Sequence, residues 1–195
     1  MNDYEIRLSG SGGQGLILAA RILADALVLE GKQVAQSQSY EPTSRGGLSR
    51  SDLVINEGEI DFPLTTSLDF LLILDEIAIT PSIPMIKTGG LLLLDSTTIR
   101  STPKGDFKSY TLPLSAIARQ LGNPKAANIV SLGAIQALVD LCGFDALQDS
   151  IRQHSPKRFL DTNLAAANKG HELIGELLPA DTDSLYVYSR SRNVQ

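Results

Sequence analysis

The chain has 195 residues, 43% of them hydrophobic, and a mean hydropathy of +0.02, which is typical of an ordinary soluble globular protein of one domain. Its net charge is −5 and it has no run rich in lysine or arginine, which excludes a nucleic-acid-binding surface. The single cysteine, Cys142, excludes an internal disulfide and an iron–sulfur cluster held by this chain alone. We expect Cys142 to be buried in a helix, and neither His154 nor His171 belongs to a metal-ligand pattern.

The sequence carries no targeting or membrane signal. The N-terminus, MNDYEIRL, lacks the apolar stretch of a signal peptide, and the longest apolar runs fall far short of the roughly 20 residues of a membrane helix. We therefore expect a cytoplasmic protein with no membrane partner. Because there is no internal repeat or linker, residues 1–178 are predicted to form one domain and residues 179–195 a polar tail.

The first half of the chain predicts strands around one amphipathic helix. Strands are predicted at 4–9, 33–40 and 48–56, and a helix at 14–30, after which Gly31 stands where a helix-terminating glycine belongs. The runs 70–75 and 91–95 are continuously apolar, as in strands buried on both faces. Two prolines between these runs break any helix there.

The second half is predominantly helical. Helices are predicted at 115–121, 126–142, 144–153 and 157–177, after an edge strand within 106–114. The pattern predicts an α/β fold: a three-layer α/β/α domain with a largely parallel or mixed central sheet and a helical C-terminal third.

A glycine-rich loop, GSGGQG at residues 10–15, lies between the first strand and the first helix and fits G-x-G-x-x-G. A dinucleotide site also requires an acidic residue at the end of the second strand. The nearest one, Glu41, lies after that strand and beside a proline. A P-loop requires Lys followed by Ser or Thr at the positions that Leu16 and Ile17 occupy here, so the motif does not indicate an NTPase. Two interpretations remain open: a looser phosphate site made of backbone N–H groups, or a tight turn with no ligand.

A second polar segment, residues 36–52, combines hydroxyl side chains, Arg45, Arg50 and the pair Gly46-Gly47. A loop after the second strand of an α/β sheet lies at the carboxyl edge, as does the loop after the first, so both are predicted to line one crevice. Arginine beside glycine suits phosphate, which side chain and main chain can bind together. The alternative is that both arginines pair with surface carboxylates or with another subunit.

Five segments in order resemble the gamma subunit of 2-oxoacid:ferredoxin oxidoreductases over residues 6–177: GSGGQG, VAQSQSYEPTSRGGLSRSDLVIN, EIDFP, GGLLLLDS and ANIVSLGAIQAL. The block QSxSY…RGGxSRSD looks most like the 2-oxoglutarate members. The chain departs from the usual family pattern at Glu41, where a glycine commonly precedes the proline, and in the segment DEIAITPSIPMI.

The resemblance implies one subunit of an enzyme complex that is inactive in isolation. Such complexes decarboxylate a 2-oxoacid on thiamine diphosphate and pass electrons through iron–sulfur clusters to ferredoxin; with 2-oxoglutarate the products are succinyl-CoA, CO₂ and reduced ferredoxin. This chain lacks the thiamine motif, so thiamine diphosphate, Mg²⁺ and the clusters are expected in alpha and beta catalytic subunits and a ferredoxin-like delta subunit. The gamma chain is expected to help bind coenzyme A and to pack against the thiamine diphosphate chains.

The resemblance also implies which residues contact coenzyme A: Gly10, Ser11, Gly12, Gly13, Gln14, Gly15, Ser44, Arg45, Gly46, Gly47 and Asn128. For Asn128, at the start of a predicted helix, a capping role is the alternative. No catalytic set or metal ligand is predicted, and Asp52, Asp75 and Asp95 are expected to be solvated acids at strand ends. Two other functions remain open: a free-standing Rossmann-like nucleotide-binding protein and a purely structural scaffold subunit.

Overall fold

Six strands form one mixed β-sheet in the computed structural model, which describes residues 3–41 and 46–177. The strands are β1 Tyr4–Ser11, β2 Gln33–Tyr40, β3 Leu48–Asn56, β4 Leu68–Ile73, β5 Ile86–Asp95 and β6 Lys108–Leu112. Their order is β2-β3-β1-β4-β5-β6. Strand β3 is antiparallel to β1 and β2, whereas the pairs β1-β4, β4-β5 and β5-β6 are parallel. Every described strand except β3 therefore ends at the same edge of the sheet.

Helices follow the strands and dominate the C-terminal third. They are α1 Leu16–Leu29, α2 Ile79–Ser82, α3 Leu114–Gln120, α4 Ala127–Val139, α5 Phe144–His154 and α6 Leu160–Leu177. Short 3₁₀ turns lie at Glu76–Ala78, Ile83–Met85, Pro124–Ala126 and Lys157–Phe159. Within the described residues, no helix has the length and apolar character needed to cross a membrane.

The sheet has a hydrophobic core on each face, as the continuously apolar strands predict. Side chains of β1 such as Ile6 and Leu8 pack against α1 and α3–α6 in the larger core. Leu71 and Ile73 of β4 point to the opposite face, where α2 and the turns around it form a thinner layer. The predicted three-layer α/β/α fold with a mixed sheet is confirmed, and the two outer layers are unequal.

Helices α4 and α6 cross at unusually short range. A Cβ on Gly133 would overlap the carbonyl oxygen of Ala167, and a Cβ on Gly170 would overlap that of Val130. Both positions require glycine, because the backbones of α4 and α6 are in contact there and a side chain at either position would push the helices apart. This contact anchors the C-terminal helix onto α4, whose N-terminal end faces the glycine loop.

Strand β2 has its predicted bounds, and its polar sequence is explained by its place as an edge strand beside antiparallel β3. Helix α4 ends at Val139 and not at residue 142, since Asp140 takes a left-handed conformation with φ 45°. Cys142 is buried as predicted but follows the helix. The predicted tail at 179–195 lies outside the described residues.

Candidate functional site

The carboxyl edge of the sheet between β1 and β4 is where the topology predicts a crevice. These strands are parallel neighbours, and the chain leaves them toward opposite faces: α1 follows β1 into the larger core, while α2 follows β4 into the smaller one. Divergence of two adjacent loops is the feature that creates ligand sites in open α/β sheets. The glycine loop, residues 10–15, lies at this crevice.

Gln14 holds the glycine loop in shape. Its side-chain Oε1 accepts a hydrogen bond from the Ser11 backbone N–H at 2.7 Å, and its Nε2 donates to the Leu74 carbonyl at 3.1 Å. A Cβ on Gly10 would overlap Oε1 and displace this side chain. The first glycine of the motif therefore makes room for a side chain that ties the loop to the end of β4.

The glycine loop and the second polar loop meet directly. The Gly12 N–H donates to the Gly47 carbonyl at 2.8 Å, which joins the loop after β1 to the loop between β2 and β3. The structure thus brings together residues 10–15 with Gly46 and Gly47, as the shared sheet edge predicts. Ser44 and Arg45 lie outside the described residues, and their contact with coenzyme A stays a prediction.

Helix α1 begins directly after the glycine loop with an N-terminus that no side chain caps. Its N-cap, Gly15, takes the left-handed conformation with φ 72° and supplies no side-chain hydrogen bond to the first turn. The backbone N–H groups of a first helical turn lack partners within the helix and carry a partial positive charge. A phosphate is a suitable partner for such a terminus.

Asn128 stabilises the glycine loop through a side-chain hydrogen bond. It is 3% exposed, and its Nδ2 donates to the Gly15 carbonyl at 2.9 Å while its Oδ1 accepts from the Ile129 N–H. Asn128 is the second residue of α4 and not its N-cap, which is Ala126, although its Oδ1 accepts from an N–H group of the first turn. A Cβ on Gly15 would lie 2.5 Å from Nδ2, so the last glycine of the motif is required beside Asn128.

Asp95 and Asp75 have structural roles at strand ends. Asp95 is fully buried, so the expectation of a solvated acid is wrong here; its carboxylate accepts from the backbone N–H groups of Thr97 and Ser115 and from the Ser115 hydroxyl. Asp75 is partly exposed and caps the turn after β4 by accepting from the Ile77 N–H. Both carboxylates stabilise chain reversals.

A buried ion pair, which the sequence analysis did not identify, lies on the sheet face opposite α1. Arg7 is 2% exposed and binds Asp52 through two hydrogen bonds, Nε to Oδ1 at 2.8 Å and Nη2 to Oδ2 at 2.7 Å. The Thr65 hydroxyl also donates to Oδ2, at 2.8 Å. Asp52 is therefore a buried, paired group, and its expected solvation is wrong. The signal in the sequence was an arginine between the apolar residues Ile6 and Leu8 of a predicted strand.

The titratable groups of the described residues provide no catalytic set. No cluster of three or more histidine, cysteine or acidic side chains suited to a metal ion occurs among them. Burial, followed by the nearby charge of Glu30, raises the pKa of the Cys142 thiol to about 12, so the thiol is unreactive near neutral pH.

Residues 5–173 match the pyruvate ferredoxin/flavodoxin oxidoreductase family, and the chain belongs to that family. It is 40% identical over 177 residues to the 2-oxoglutarate synthase subunit KorC of Methanocaldococcus jannaschii, a match covering 89% of this chain and 95% of that subunit. The resemblance seen in the sequence motifs is thereby confirmed.

Two solved structures share the fold. The gamma subunit of a keto/oxoacid ferredoxin oxidoreductase from Geobacter sulfurreducens superposes with a TM-score of 0.82 and 38% identity, covering 89% of this chain and 97% of that one. The 2-oxoglutarate:ferredoxin oxidoreductase of Magnetococcus marinus, solved with 2-oxoglutarate, coenzyme A and succinyl-CoA bound, gives a TM-score of 0.81 at 21% identity and covers 91% of this chain and 32% of that one. The second likeness shows the fold alone.

Proposed function

We propose that this chain is the gamma subunit of a 2-oxoglutarate:ferredoxin oxidoreductase and that its crevice helps to bind coenzyme A. The main support for this site is the hydrogen bond from the Gly12 N–H to the Gly47 carbonyl. This bond holds the two glycine-rich loops side by side, so that they form one continuous surface. The substrate follows the 2-oxoglutarate synthase subunit of Methanocaldococcus jannaschii, to which this chain is 40% identical.

The chemistry of coenzyme A suits this surface. The molecule carries a diphosphate and a 3′-phosphate, and the N-terminus of α1 is suited to bind such a group. A dinucleotide is a poorer fit, because Glu41, the nearest acid to the end of β2, accepts a hydrogen bond from the Leu48 N–H and stabilises its own loop. Arg45, by sequence, adds positive charge to the same loop.

In this proposal the chain positions coenzyme A and makes or breaks no bond itself. Thiamine diphosphate with Mg²⁺ and the iron–sulfur clusters reside in alpha, beta and ferredoxin-like delta partners, and ferredoxin accepts the electrons. The complex converts 2-oxoglutarate and coenzyme A into succinyl-CoA and CO₂. The gamma chain packs against the thiamine diphosphate subunits, and alone it is inactive.

The assembly and the substrate are tested together. The chain, tagged in its native host, is purified with its partners and assayed anaerobically for coenzyme A-dependent reduction of a viologen dye. Activity with 2-oxoglutarate supports the proposal, whereas activity with another oxoacid corrects the substrate. If the chain is recovered alone and inactive, the isolated protein is tested for binding of NAD, FAD and ADP.

Gly12→Ala tests the site within that complex. The added Cβ would lie 3.6 Å from the Gly47 carbonyl oxygen, an ordinary contact that the fold tolerates. We expect the methyl group between the two loops to raise the KM for coenzyme A at least tenfold, about 1.4 kcal/mol, with little change in the KM for 2-oxoglutarate.

Gly175→Ala is the matched control, since a Cβ there meets nothing within 4 Å and the position lies near the end of α6. An unchanged KM for coenzyme A in Gly12→Ala, together with a lower yield of complex, would favour the scaffold function and remove coenzyme A from this crevice.

A further inference from the structure

A polar cavity lies on the face of the sheet opposite α1, over strands β2, β3 and β1. It has a volume of about 280 Å³. Its lining residues are Arg7, Ser37, Gln38, Ser39, Arg50, Asp52, Leu64, Thr65 and Met85. Side chains that alternate along a strand reach opposite faces, so Arg50 and Asp52 share this face with Arg7.

The charges in this cavity do not balance among the described residues. Asp52 is neutralised by Arg7, which binds both of its carboxylate oxygens, and one of these oxygens also accepts from Thr65. Among the described lining residues, the remaining charged side chain is Arg50. Arg50 is half-buried and makes no side-chain hydrogen bond or ion pair with any residue in 3–41 or 46–177.

Hydroxyl groups stand beside this guanidinium. Ser39 and Ser9 are the direct cross-strand neighbours of Arg50, and Ser37 lies one step along the same face of β2. The Ser37 and Ser39 hydroxyls are engaged by no side-chain hydrogen bond within the described residues. A planar guanidinium with adjacent hydroxyl donors matches the two-oxygen face of a carboxylate or phosphate.

We propose that the cavity around Arg50 is an anion site that binds one carboxylate or phosphate group. An anion there would receive charge-assisted hydrogen bonds from Arg50 and further hydrogen bonds from the two serine hydroxyls. The Arg7–Asp52 ion pair, which has no net charge, lines the cavity beside Arg50. Leu64, Thr65 and Met85 also line the cavity, whose volume of about 280 Å³ suits a small group.

This site lies on the opposite face of the sheet from helix α1. Helix α1 packs in the larger core, whereas Arg50 shares its face with Arg7 and Asp52. The bound anion can come from either of two sources: a dissolved carboxylate or phosphate compound, or an acidic side chain of another subunit. The experiment has one arm for each.

In the first arm, inorganic phosphate and succinate are titrated into the full-length chain at constant ionic strength, with binding followed by calorimetry. We expect saturable binding that weakens at least tenfold in Arg50→Gln. Arg100→Gln is the control, because Arg100 is exposed, uses only its backbone N–H in a hydrogen bond to Glu76, and its loss changes the net charge equally.

In the second arm, the same variants are tagged and purified from the native host. If the ligand is a partner's carboxylate, Arg50→Gln recovers at least tenfold less complex than Arg100→Gln, although circular dichroism shows both to be folded. The proposal is overturned if Arg50→Gln matches Arg100→Gln in both arms. It is also overturned if Gly12→Ala, and not Arg50→Gln, abolishes anion binding.

Discussion

At the scale of single residues, the Arg7–Asp52 pair is the most consequential polar contact of the described structure. The guanidinium is 2% exposed and cannot exchange its partner for water. Such a pair contributes little net stability compared with apolar residues of similar volume, but the loss of one member leaves an uncompensated buried charge. The pair therefore restricts which side chains this face of the sheet tolerates.

We expect Asp52→Asn to lower the free energy of unfolding by about 3 kcal/mol, because Arg7 loses the charge that compensates its burial. Urea denaturation of the full chain measures this change. Lys87→Met is the comparison, since Lys87 and Asp69 are 35% and 24% exposed and their separation should cost at most about 1 kcal/mol. Equal losses in the two variants would contradict the account of Arg7 burial.

At the scale of elements, the contact of α4 with α6 decides how the helical third packs. Glycine at 133 and 170 lets the two backbones approach until each glycine faces a carbonyl of the other helix. Because α4 also carries Asn128, which donates to Gly15, the position of α4 affects the glycine loop. Helix packing and the candidate site are thus mechanically connected.

Gly133→Ala should destabilise the protein by about 3 kcal/mol, because the methyl group forces α4 and α6 apart in a packed core. Gly175→Ala, on the exposed side of α6, should instead be neutral or stabilising by up to about 1 kcal/mol, since alanine is the better helix former. Thermal unfolding monitored by circular dichroism distinguishes the two. A Gly133→Ala variant as stable as the unaltered chain would show that the helices separate without cost.

At the scale of the whole molecule, stability depends on pH in the alkaline range. Burial raises the pKa of Cys142 from 9.0 to about 12, and burial with the nearby charge of Asp69 raises the pKa of Tyr4 above its usual value. The folded state therefore retains protons that the unfolded chain releases. This contribution is fully present below pH 9 and is lost as pH rises from 9 toward 12.

We expect the unaltered chain to lose about 2 kcal/mol more stability than Cys142→Ala between pH 8 and pH 10.5, because only the unaltered chain has the thiol linkage. Denaturant midpoints at the two pH values, compared for both proteins, give this difference directly. An equal loss of stability in the two proteins would mean that Cys142 has the same pKa in the folded and unfolded states. Tyr4 is common to both and cancels in the comparison.

Much of the secondary structure follows from the sequence alone. Period-two and continuous apolar runs predict the strands, 3.6-residue periodicity predicts the helices, and prolines at 81 and 84 predict the broken segment before β5. The position of both polar loops at one sheet edge follows from strand direction. The motifs are also sufficient to place the chain in its family.

Only the tertiary structure decided which residues meet. The insertion of β3 between β2 and β1, the Arg7–Asp52 pair across 45 positions and the bond from Gln14 to Leu74 across 60 depend on strand pairing, which local patterns do not encode. Sequence periodicity reports which side of an element is apolar, because burial acts on each residue separately. Polar partners and close helix contacts require two distant segments at a specific register, and that register results from packing the whole chain.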